Sequence, residues 1–155
     1  MGTKETGHGG KELMQTNRTF EAKIQNLPLV MEFLEATLNE AGAEEGECFD
    51  IQLAVDELFT NIALYAYDAH VGVMELDIRA EQGLITITIT DSGKPFDPLT
   101  LPPPDITSDL DERRVGGLGI HLVREVTDTV TYARREGRNI LTIKKRINSS
   151  ADSRE

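Results

Sequence analysis

Ala54-Val55-Asp56-Glu57-Leu58-Phe59-Thr60-Asn61-Ile62-Ala63-Leu64-Tyr65-Ala66-Tyr67 is the stretch around which the rest of the chain arranges itself. Together with Ile51, the residues Val55, Leu58, Ile62 and Ala66 recur at spacings of three and four, the pattern of one buried helix face. Glu57 and Asn61 stand four apart, so they stack beside that stripe. A carboxylate can take a proton, and a carboxamide can offer a neutral oxygen to a hard cation. The plainer reading is an amphipathic helix with both side chains in solvent, and the helix alone favours it.

Outward from this helix, the pattern predicts a single domain. Upstream, Arg18 to Ile24 alternates polar and apolar as a half-buried strand does. Pro28 suits the first turn of a helix from Leu29 to about Ala41, with Val30, Phe33, Leu34 and Leu38 as its buried stripe and Gly42 as its stop. The organising helix itself is expected from about Cys48 to Asp68. Downstream, Val73 to Arg79 and Leu84 to Thr90 alternate strictly around Glu81-Gln82-Gly83, which makes a hairpin. Leu99 to Arg114, with Pro102, Pro103 and Pro104, has no periodicity, and a loop of that length is usually functional. A helix then carries Ile120, Leu122, Val123, Val126 and Thr127, and a second hairpin follows over Thr129 to Lys144, turning at Glu136-Gly137-Arg138. Residues 1–16 are expected to form a disordered leader and 148–155 a frayed tail, leaving 17–147 as the domain. The order β-α-α-β-β-loop-α-β-β predicts an α+β, two-layer sandwich: a mixed, mostly antiparallel sheet of about five strands with three helices on one face.

Composition narrows the function. The chain has 155 residues, a net charge of −11, no Trp and one Cys. That field repels nucleic acid and anionic membranes, and a nucleotide would need a divalent cation to screen its phosphates. No apolar run approaches the roughly 20 residues of a membrane span. Cys48 has no internal disulfide partner, which assigns a reducing cytoplasm. His8, His70 and His121 show no ligand spacing.

Two further boxes join the Glu57/Asn61 pair. Asp91-x-Gly93 follows a buried strand: the carboxylate can accept a hydrogen bond from an exocyclic amine such as adenine's, and glycine lets a flat ring approach. A plain Asp-Ser-Gly turn is the simpler meaning. Gly117-x-Gly119 opens a helix, where free backbone N–H groups and the dipole favour phosphate, although glycine there is also common for packing. No P-loop motif is present.

In combination the boxes resemble the GHKL ATP-binding superfamily, which includes gyrase, histidine kinases and MutL. The strings Asp91-Ser-Gly-Lys-Pro-Phe-Asp-Pro98, Gly116-Gly-Leu-Gly-Ile-His-Leu-Val123 and Asp128-x-Val130-x-Tyr132 resemble more closely the anti-sigma factor serine/threonine kinases of the RsbW and SpoIIAB type, over about residues 17 to 147. The resemblance implies the Bergerat fold, ATP and Mg²⁺. It makes Glu57 the general base and Asn61 the metal ligand. It puts Asp91 on the adenine amino group, with Gly93, Pro95 and Phe96 around the base. Gly116, Gly117, Leu118 and Gly119 would wrap the phosphates. Arg114, with Arg113, is placed beside them, and a solvated pair offsetting Asp109, Asp111 and Glu112 stands as the alternative. Pro95 departs from the second glycine of many relatives and stiffens the base loop. Tyr65 stands where some members have His, so no role of that His transfers.

The implied function is an Mg·ATP-dependent kinase that phosphorylates a STAS-domain antagonist and, in its other state, holds a sigma factor; a homodimer is implied with it. The 16 residues before the first strand are too few for the dimerisation helices and acceptor histidine of a histidine kinase. The competing reading is a nucleotide-gated protein-binding module with little or no kinase activity.

Overall fold

The computed structural model describes residues 2–6, 12–67, 70–100 and 117–148. Six strands form one sheet: β1 (Gly2–Thr6), β2 (Glu12–Glu21), β3 (Val73–Glu81), β4 (Leu84–Asp91), β5 (Thr129–Arg135) and β6 (Arg138–Arg146). Their order is β1-β2-β3-β4-β6-β5, and every pairing among the described residues is antiparallel. The five expected strands are all present, and the expected mixed sheet is corrected to an antiparallel one. Both tight hairpins turn on two residues of positive φ, Gln82-Gly83 (52° and 75°) and Glu136-Gly137 (50° and 76°). Positive φ at both central positions is what the right-handed twist of paired strands demands of such a turn.

Residues 2–6 and 12–16 are not a disordered leader. β2 runs in register with β3 from Leu13 opposite Glu81 to Glu21 opposite Val73, and β1 adds to its outer edge. The alternation of β2 is hard to read because two residues in phase with Met14 and Phe20 are polar: Thr16 is buried, and Arg18 is exposed, its guanidinium 4.9 Å from the centre of the Phe20 ring. Ile24, expected to end this strand, sits in a short 3-10 turn and is exposed.

Among the described residues three α-helices cover one face. They are α1 (Leu27–Glu40), α2 (Glu45–Asn61) and α3 (Gly117–Val126). α1 buries Val30, Leu34, Thr37 and Leu38, while Phe33 is partly buried against Phe20. α2 starts in a capping box, in which Glu44 and Glu47 each satisfy the other's backbone N–H. Its apolar stripe (Ile51, Val55, Leu58, Ile62 and Ala66) is buried as the spacing predicts. It packs with α1 and α3 onto the inward residues of the central strands, Leu76, Ile78, Ile85, Ile87 and Ile89. In α3, Ile120 and Val123 point to this core, followed by buried Thr127, while Leu122 is exposed.

α2 does not end as an ordinary helix. Directly after Asn61 it widens into a π-helical turn, Ile62–Ala66, and leaves in extended conformation at Tyr67. Such turns recur at functional sites because they re-aim side chains and carbonyls out of the regular ladder. Here the Ala66 carbonyl is freed to accept the Lys94 backbone N–H at 2.9 Å. Among the described residues no helix is long and apolar enough to cross a membrane.

Candidate nucleotide site

α2 ties the two glycine boxes together. At its middle, the Glu57 carboxylate lies against the backbone of Gly119: a β-carbon added there would stand 1.8 Å from Glu57 Cδ. At its end, Gly93 packs on the π-helical turn, where an added β-carbon would stand 2.3 Å from the Ala66 carbonyl oxygen. From Glu57 to Ala66 is about 13 Å of helix axis at 1.5 Å per residue. The three boxes, far apart in sequence, therefore line one edge of the helical layer.

The two glycines are demanded by different neighbours, which separates their mutants. At Gly93 the obstacle is backbone that cannot move, so Gly93→Ala is expected to cost about 1–3 kcal/mol and lower the melting temperature. At Gly119 the obstacle is the free end of a side chain, so Gly119→Ala is expected to fold with little loss of stability. It displaces the Glu57 carboxylate instead, so any chemistry that depends on the placement of that carboxylate is expected to drop about tenfold or more. Thermal melts beside an activity assay check both halves.

Burial pushes the Glu57 carboxyl above its ordinary pKa, with the neighbouring Asp56 charge adding to the shift. One turn on, Asn61 is 4% exposed, and its Nδ2 has no hydrogen-bond partner among the described residues. An unsatisfied buried polar group costs about 1–3 kcal/mol, which a ligand can recover. A carboxamide exchanges its two ends by a half-turn without changing shape, so the unpaired position can present oxygen to a hard cation. Among the described residues no group of three His, Cys, Asp or Glu could hold a metal alone. Mg²⁺ takes few protein ligands and completes its shell with phosphate oxygens and water, so a single carboxamide oxygen can serve it. The residues fit the metal.

Asp91, 3% exposed, closes β4. Its Oδ1 accepts hydrogen bonds from the Gly93 N–H and from Asn139 Nδ2, both at 2.9 Å. Arg134 donates to the Gly93 carbonyl at 2.8 Å. Tyr67 straps the same loop from behind, accepting from the Ser92 N–H at 2.9 Å and donating to the Val73 carbonyl at 2.7 Å. Its ring fills the space over Gly72, where an added β-carbon would fall 2.0 Å from it. Phe96 is half-buried and faces Tyr65, ring centres 6.4 Å apart, while Pro95 is exposed.

Gly116, Arg113, Arg114 and the prolines 102–104 lie outside the described residues; of Gly117 and Leu118 only the helical backbone is described. Arg124 of α3 donates to the Leu99 carbonyl at 3.3 Å. His121 is exposed and faces Glu125. Burial raises the pKa of the Cys48 thiol, which keeps it protonated and unreactive. A separate groove of about 950 Å³ carries Glu35, Glu44, Glu45, Glu47 and Asp50 in its lining, a charge that repels a triphosphate, and none of its residues belongs to the site above. Asn139, Arg134 and the π-helical turn are the parts that sequence reading missed.

A helical layer on an antiparallel sheet, with a Glu/Asn helix facing an Asp-x-Gly turn and a glycine-started helix, defines a class of ATPase fold. The histidine kinase-like ATPase domain family matches residues 20–145, and the chain belongs to that family. Within it, the serine/threonine-protein kinase BtrW of Bordetella bronchiseptica is 31% identical over 96 residues, 61% of this chain and 68% of BtrW. The serine-protein kinase RsbW of Staphylococcus aureus is 30% identical over 122 residues, 75% of this chain and 77% of RsbW. The crystal structure of the RsbU and RsbW domains of Rv1364c from Mycobacterium tuberculosis shares the fold. Its TM-score is 0.61 at 18% identity, over 86% of this chain and 32% of that longer one.

Proposed function

We infer that this chain is an ATP-dependent protein serine/threonine kinase that works as an anti-sigma factor. It phosphorylates a STAS-domain antagonist, and in its other state it holds a sigma factor, as a homodimer in the cytoplasm. The observation that carries the reading is the contact between Glu57 and Gly119, which sets a carboxylate of raised basicity against the helix start that suits phosphate. The relatives named as serine kinases support the same conclusion.

Each residue has a task. Glu57 takes the proton of the serine or threonine hydroxyl as the new oxygen–phosphorus bond forms and the bond to the β-phosphate oxygen breaks. The backbone of Gly117 and Gly119 receives the phosphates with free N–H groups and room for close approach. Asn61 holds Mg²⁺, which when bound neutralises phosphate charge. Asp91 accepts the adenine amino group, and Phe96 with Tyr65 walls the base.

The test incubates the protein with γ-labelled ATP, Mg²⁺ and each STAS-domain protein of its source organism. Acid-stable label on a serine or threonine is expected, lost in Glu57→Gln. Nucleotide binding without transfer to any of them would point to the protein-binding module instead.

A further inference from the structure

β6 carries a residue that the reading above leaves without a task. Asn139 lies opposite Asp91 in the β4–β6 ladder and is 2% exposed. Its Nδ2 donates to Asp91 Oδ1 and to the Lys94 carbonyl, each at 2.9 Å. Its Oδ1 accepts from the Tyr132 hydroxyl and, at 3.4 Å, from the Phe96 backbone N–H. Two acceptors face the nitrogen end and two donors face the oxygen end, so the carboxamide has one satisfied orientation. Reversing it would break all of these bonds inside a buried site, where an unmet polar group is costly.

This orientation decides which oxygen of Asp91 is left for a ligand. Both hydrogen bonds that Asp91 accepts among the described residues land on Oδ1, from Asn139 and from the Gly93 N–H. Oδ2 is left as the acceptor. The same carboxamide also ties together the two backbone positions, Lys94 and Phe96, that frame the loop beside the base.

We propose that Asn139 is a positioning residue for base selection: oriented by Tyr132, it saturates Asp91 Oδ1 so that Oδ2 stands ready for a purine bearing an exocyclic amine and rejects one bearing a carbonyl there. The proposal rests on the adenine role given to Asp91. A site built around a fixed acceptor discriminates strongly against a ligand lacking the matching donor, because the mismatch leaves buried polar groups unpaired.

ADP and IDP are the probes, since inosine replaces the amine of adenine with a carbonyl. Their affinities are measured by calorimetry with Mg²⁺ at mildly alkaline pH, for the full chain and for Asn139→Asp and Tyr132→Phe. Asn139→Asp removes the donor without changing shape and is expected to weaken ADP about 10- to 100-fold. The ADP-to-IDP preference should collapse to less than about tenfold. Tyr132→Phe leaves Asn139 in place but frees its amide, so the preference should fall several-fold, and this variant decides if Asn139→Asp does not fold. A scaffold residue would lower both affinities together. An unchanged ratio in a folded variant therefore overturns the proposal. A wild-type chain that binds ADP and IDP alike would instead overturn the adenine role of Asp91, and the proposal with it.

Discussion

Glu57→Gln is expected to lower the rate of phosphoryl transfer by about 10²- to 10⁴-fold, the range that a positioned general base supplies, while ADP affinity stays within about twofold of wild type. Glutamine keeps the shape that rests against Gly119 and removes only the ability to take a proton. The wild-type rate should also fall with acid earlier than for an ordinary glutamate, because burial raises the pKa and protonation disables the base. Folding stability moves the other way. A carboxyl whose folded pKa lies above its unfolded value contributes stability that is fully present below the unfolded value and lost as pH rises through the folded one. At neutral pH the ionised Glu57 thus opposes folding, and Glu57→Gln should melt no lower than wild type. Single-turnover transfer against pH, with melts of both proteins, checks the pair. A variant that retains wild-type transfer would remove Glu57 from the chemistry.

Asn61→Ala is expected to weaken ATP binding about 100-fold in the presence of Mg²⁺, a change worth about 2.7 kcal/mol, and to leave binding in a chelator unchanged. The folded state should tolerate the substitution. Truncation leaves a small cavity, but it also removes a buried amide whose nitrogen is unsatisfied, and the two effects oppose each other. Calorimetry with and without the metal separates a metal ligand from a wall residue. An equal loss under both conditions would show that Asn61 contacts the nucleotide, or supports the site, without holding the cation.

The elements of the domain were legible wherever polarity alternates cleanly. β3, β4, α1 and α2 each bury a stripe whose period can be counted, and the hairpin turns are marked by glycines that take positive φ. β2 was legible only in its second half, because Thr16 is polar at an inward position and the Arg18 guanidinium lies over aromatic rings. Glu57, Asn61 and Asp91 could be singled out because their spacing and flanking glycines form a pattern. Asn139 could not, since a lone asparagine in a strand is unremarked until Asp91, Lys94, Phe96 and Tyr132 are folded around it.

What the chain of residues determined by itself was the set of elements and the chemistry available to them. These follow from local properties: which faces are apolar, where glycine permits a turn, and which side chains can take a proton or bind a cation. Only the tertiary structure decided that Glu57 meets Gly119, that α2 widens into a π-helical turn after Asn61, and that Asn139 donates to Oδ1 of Asp91. Those are distances between residues remote in sequence, set by how the helical layer seats on the sheet, and no local pattern encodes them.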